Sequence, residues 1–156
     1  MKHRSLALAA LLGLNLGAAH AQDPHHPMPG HDGRVVLELA PGERAMILEE
    51  MRLFLEGVQK MTAALGKNDM PAAAQAARAL GQAMAHELPP ALRARLPMEF
   101  RQLGGAVHRE FDQMALDAGS LQDVSYSLGQ LSATLQKCVS CHTVYQIRTP
   151  ALDTRH

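Results

Sequence analysis

Apolar residues recur three and four positions apart along most of this chain, and four stretches hold the pattern long enough to predict helices. The first begins at Pro41. In GERAMILEEMRLFLEGVQKMTAALGKND, Leu48, Met51, Leu55, Val58, Thr62 and Leu65 form the apolar line, while Glu49, Glu50, Arg52, Glu56 and Lys60 fall mostly off it. Gly66 and Asn68-Asp69 end the segment. MPAAAQAARALGQAMAHE follows as a second helix, with Asp69 placed to cap it, Pro71 in its first turn, and an end before Leu88-Pro89-Pro90. Pro97 opens a third helix whose buried side is Phe100, Leu103, Val107, Phe111, Met114 and Leu116, locally weakened by Gly104-Gly105. The last starts at Ser120 or Gln122-Asp123. Val124, Leu128, Leu131, Leu135, Cys138 and Cys141-His142 carry its period to about Arg148, and Pro150 forbids continuation. No alternating run reads as a strand. Four amphipathic helices on short connections predict an all-α fold, an antiparallel four-helix bundle over residues 41–149.

The flanks read differently. MKHRSLALAALLGLNLGAAHAQ has a short basic start, an apolar run and a small-x-small ending, the layout of a secretory signal peptide cleaved after Ala21. Its apolar run is shorter than the roughly 20 residues of a spanning helix, so the expected product is exported, most simply to a periplasm. Residues 22–40 are expected to be a flexible tail. Its first part, QDPHHPMPGHDG, offers His25, His26, Met28 and His31 to copper or zinc, although so little order is expected there that incidental histidines are the plainer reading. Residues 150–156 form a short C-terminal tail.

Loss of Lys2 and Arg4 with the leader leaves 13 basic residues against 15 acidic ones, a formal charge of −2 that argues against nucleic-acid binding. Aromatics make up 3% of the chain and tryptophan is absent. A core built from Leu, Ala, Met and Val would gain from a bulky non-protein filler.

The only two cysteines lie in Cys138-Val139-Ser140-Cys141-His142, CVSCH. A redox Cys-x-x-Cys would normally sit near a βαβ pattern, which is missing. A zinc site would want two further ligands, and no other cysteine supplies one. The third meaning, favoured over a structural CxxC disulfide followed by an incidental histidine, is covalent haem attachment: both thiols form thioethers to the porphyrin vinyl groups and the adjacent histidine reaches the iron. Cys138 and Cys141, three apart, share one face of a helix, and His142 lies beside them as proximal ligand.

A leader, four helices and a CxxCH near the end of the last one resemble the class II c-type cytochromes, cytochrome c′ and its low-spin relatives. The resemblance spans roughly Gly42 to Arg148. Its specific motif is Cys138, Cys141 and His142, supported by Tyr145 three residues on. Many relatives place a basic residue directly after that aromatic, where this chain has Gln146. The resemblance implies one haem c, redox-protein partners and, since members often pair through their first two helices, an option of a homodimer. It also implies that helix one crosses the haem opposite the histidine. An apolar side chain there leaves the iron able to bind small gases such as NO and CO, and a methionine closes it for electron transfer.

Register selects the facing residue. With helix four ending near Thr149, His142 lies about 10 Å before its end, so the facing position falls near residues 48–52 of an antiparallel helix one. Met51 lies in that window and on the apolar line, with Leu48 as a haem-packing neighbour. Met46 points elsewhere and Met61 is about 15 Å too far along. Met51 as one more flexible core filler stays open, as do His86 and His108 as rival ligands. The reading is an electron carrier rather than an enzyme, because no Ser/His/Asp set or carboxylate pair has a spacing that asks for catalysis. A gas-binding haem protein and a metal-binding protein using the histidine tail are the alternatives.

Overall fold

Pro41, with its fixed helical φ, sits in the first turn of α1 (Pro41–Leu65), and the Glu43 carboxylate accepts the N–H of the capping Ala40 at 2.9 Å. The computed structural model describes residues 32–85 and 88–150, and every element in it belongs to one compact unit that begins at Gly33. The expected leader, the residues up to His31, His86 and residues 151–156 lie outside the described part. Among the described residues no helix is long and apolar enough to cross a membrane.

The chain is mainly helical. Asn68 takes the left-handed region after α1 (φ 57°), and Asp69 then caps α2 (Met70–Ala79) by accepting the Ala72 N–H at 3.0 Å. The second predicted helix is interrupted at Leu80-Gly81 before the short α3 (Gln82–Ala85). Two side chains of α5 (Met98–Leu121) use the break: His108 Nδ1 donates to the freed Leu80 carbonyl at 2.8 Å, and Asp112 accepts the Gln82 N–H at 3.0 Å. A short helix not anticipated from the pattern, α4 (Pro90–Arg95), bridges to α5, and Arg95 pairs with Glu43 at 2.5 Å. Gln122 in the left-handed region (φ 53°) and the Asp123 cap then separate α5 from α6 (Val124–Val144).

Side-chain pairs fix the helix directions. Glu110 of α5 meets Thr134 and Lys137 of α6 while Asp117 meets Gln130, so these two run antiparallel. Glu50 meets His108 while Phe54 packs on both His108 and Phe111, so α1 runs along α5 and against α6. The main core joins Met61, Leu65, Met70, Ala73, Ala77, Leu80, Val107, Phe111, Met114 and Leu131.

Two expectations are corrected at one end. The last helix stops at Val144, and Tyr145–Arg148 is a strand, β2, in parallel pairing with β1 (Val35–Glu38), which lies inside the expected tail. Leu37 and Leu39 are drawn there by a second apolar cluster with Ile47, Leu92 and Leu96, while Phe100 meets the Tyr145 ring edge-on at 5.4 Å. Arg34 Nη1 donates to the His142 carbonyl at 3.3 Å, a basic side chain at the C-terminal end of α6.

Leu80 approaches α1 closely at Gly57. A Cβ there would lie 2.5 Å from Leu80 Cδ2, and Leu80 is itself buried. Gly57→Ala is expected to cost about 1–3 kcal/mol from overpacking. Gly119→Ala, with nothing within 4 Å of its Cβ, should instead stabilise by roughly 0.5–1 kcal/mol. Urea midpoints of the two variants moving in opposite directions is the expected result.

Candidate functional site

Between α1, α5 and α6 lies a cavity of about 380 Å³, within the usual size range of ligand pockets. From α1 it is lined by Ile47, Glu50, Met51, Phe54, Leu55 and Val58. Phe100, Leu103, Val107, His108 and Phe111 line it from α5, and Leu135, Cys138, Cys141 and His142 from α6. Most of this wall is hydrocarbon. Exposed Leu55, Leu135 and His142 carry its rim to solvent.

The two thiols and the imidazole reach this cavity because residues 135, 138 and 141–142 recur at helical spacing on one side of α6. Of the rest of that predicted stripe, Leu131 is buried and Val124 packs against the main core, whereas Leu128 is exposed. The α6 residues buried outright are Ser127, Leu131 and Thr134. Small and hydroxyl-bearing side chains let α6 pack closely on α5, where Thr134 donates to Glu110 at 2.8 Å. The longer apolar chains are thereby turned toward the cavity and solvent.

Met51 lines the cavity and is half-buried. Leu48, expected beside Met51, is half-buried and is not among the lining residues. Ile47, Glu50, Met51, Phe54 and Val58 follow the inward face, and Leu48 is turned about 100° from Ile47. Met46 is exposed and Met61 is fully buried in the main core.

Cys138 and Cys141 are free thiols and half-buried. Burial pushes the Cys138 thiol above its ordinary pKa, its own backbone N–H pulls it back in part, and the Glu110 carboxylate pushes it further up. Burial and the neighbouring Cys138 do the same to Cys141. Both thus stay protonated near neutrality, the opposite of the activated thiolate a dithiol oxidoreductase needs. Among the described residues no three of His, Cys, Asp and Glu gather as a metal-chelating group.

All three phenylalanines of the chain, Phe54, Phe100 and Phe111, line this one cavity. The chain matches no family model, and no curated protein or solved structure matches it.

A second feature of the wall escaped the sequence reading. His108 is buried, with Nδ1 on the Leu80 carbonyl and Nε2 3.1 Å from Glu50 Oε1. A carbonyl and a carboxylate both accept, so this pair of partners favours the imidazolium, which donates from both nitrogens. Neither nitrogen is open to a metal, which removes His108 as a rival ligand. Burial alone would lower its pKa, but the Glu50 bond, the Leu80 and Gly81 carbonyls and the Glu50 charge together raise it above 6.5. A raised folded-state pKa contributes stability that is fully present below the unfolded value and is lost as pH rises through the folded one. The urea midpoint is therefore expected to fall as pH increases through and beyond neutrality. Glu50→Gln, which removes the charge and weakens the bond, should flatten that profile.

The sequence signals for the pair were present but weak. Glu50 sat on the predicted polar face of α1, and His108 fell one position off the apolar line of α5.

Proposed function

We propose that this chain is a monohaem c-type cytochrome of the antiparallel four-helix-bundle class, an exported, periplasmic carrier of single electrons between protein partners. Cys138 and Cys141 would hold one haem c through thioethers, and His142 and Met51 would be the residues that ligate its iron. The observation that carries the reading is one apolar cavity onto which a Cys-x-x-Cys-His on α6 and a methionine on α1 converge, walled by every phenylalanine the chain has.

The residues suit the group. Two thiols one helical turn apart match two vinyl groups on one edge of a flat ring, and protonated thiols are the form that adds S–H across a vinyl double bond. Phe54, Phe100, Phe111, Leu103 and Val107 offer the apolar surface that such a ring requires. Bound haem would supply a one-electron iron couple, whose potential a methionine ligand raises.

The chain's own residues do the remainder. His142 is held near the end of a helix that Arg34 and the β1–β2 pair tie down, which limits how far its ring can shift between oxidation states. Met51, which lines the same cavity from α1, would close the site to exogenous ligands. Apolar walls exclude water, and the exposed rim at Leu55 and Leu135 gives a partner access to the cavity's edge.

Visible spectra of protein made in a haem-maturing host test the assignment. Low-spin spectra in both oxidation states, and a reduced form that ignores carbon monoxide, are expected. High-spin spectra with ready carbon monoxide uptake would instead make it a gas-binding haem protein, and a colourless product would remove haem from the account.

A further inference from the structure

A second cavity, about 220 Å³, shares Glu50, Phe100, Gly104 and His108 with the first, and no residue of α6 lines it. Its distinguishing residues are three arginines, Arg93 from α4 and Arg101 and Arg109 from α5. Arg101, Gly105 and Arg109 are spaced four apart and so follow one side of α5. A Cβ at Gly105 would stand 3.3 Å from Arg109 Nη1, so the guanidinium lies back over the glycine in space a side chain would otherwise fill.

Among the described residues none of the three guanidiniums has a carboxylate partner; Arg93 Nη2 donates to the Leu88 carbonyl at 3.3 Å. Glu50, the one acidic residue in the lining, is already bound to the His108 ring. In a chain with formal net charge zero, this pocket concentrates positive charge in a planar, forked form that matches carboxylates two bonds at a time.

We propose that the Arg93, Arg101 and Arg109 pocket is a carboxylate-binding site, and that its occupants are the two propionates of the haem. The second half of that statement rests on the haem reading; the first does not. Haem carries its propionates on the ring edge away from the vinyl groups. With the vinyl edge bonded to Cys138 and Cys141 on α6, the carboxylates belong on a side that α6 does not line, and the arginine pocket adjoins the cavity there through Gly104 and Phe100.

The test uses full-length, haem-loaded protein with ¹³C-labelled propionate carboxyls, followed by NMR against pH, in wild type, Arg101→Gln, Arg109→Gln and the control Arg78→Gln on α2. Arg101 and Arg109 are exposed, so the variants should fold, and Arg78 lies outside the pocket. Loss of either pocket arginine is expected to weaken the acidity of a propionate about tenfold, the usual effect of an adjacent guanidinium, with no change in Arg78→Gln. In parallel, succinate is titrated into wild type by calorimetry. No succinate binding together with the propionate shift supports the proposal in full. Succinate binding that weakens in Arg101→Gln, with propionates unmoved, keeps the carboxylate site but overturns the propionate assignment. Unmoved propionates and no succinate binding overturn both. Should the mature chain carry no haem, the haem reading fails separately and the succinate titration alone decides the pocket.

Discussion

Met51→Ala is expected to turn a haem protein that ignores carbon monoxide into one that binds it readily on reduction, with a lower potential and the loss of the weak absorption band at the red end of the oxidised spectrum. The expectation rests on elimination among the described methionines. Met61, Met70, Met84 and Met114 are buried away from the cavity, Met46 and Met98 are exposed, and Met51 alone lines it. No other described thioether could replace it at an iron held by His142. Because Met51 is only half-buried, its truncation should cost less than the roughly 2–5 kcal/mol of a fully buried Met→Ala change. The protein should therefore stay folded and its spectrum stay interpretable. Carbon monoxide titration of the reduced variant is the measurement, and spectra identical to wild type would remove Met51 from the iron.

Phe111→Ala carries the largest expected effect on stability. Phe111 is 1% exposed, belongs to the main core, and packs on Phe54 with ring centroids 5.8 Å apart. It also lines the cavity, so its removal merges a void with an existing hollow that the backbone cannot collapse to fill. The expected cost is about 3–5 kcal/mol, a large share of the 5–15 kcal/mol typical of a domain. Leu55→Ala, at a residue 73% exposed on the rim, should fall within about 0.5 kcal/mol of wild type. Urea unfolding of both separates a core wall from a rim, and equal losses would contradict the packing described.

Much of the helical frame could be read from local signals. Pro41, Asp69, Pro97 and Asp123 mark helix starts that the structure keeps, because capping and proline effects act within one turn and need no tertiary partner. The β1–β2 pair could not be read in that way. Each strand is four residues long, with partners about 110 positions apart, and Tyr145–Arg148 continues a helical period without a break. Only the apolar cluster of Leu37, Leu39, Ile47, Leu92 and Leu96 makes extended backbone the better choice there.

The inward face of α1 is wider than the expected line. Met51, Leu55 and Val58 of that line border the cavity and Leu65 is buried, but Ile47, Gly57 and Met61, off the line, are buried as well, Gly57 against Leu80. For the candidate site, Cys138, Cys141, His142 and Met51 could be identified from spacing and register. The gathering of Phe54, Phe100 and Phe111 could not, nor could the arginine pocket, since both depend on how α1, α4 and α5 pack.

Mass spectrometry of the denatured, mature polypeptide from a haem-maturing host tests the central claim most directly. One haem per chain, retained through denaturation and lost when Cys138 and Cys141 are both changed to serine, is the predicted result. A polypeptide of unmodified mass from such cells would contradict it.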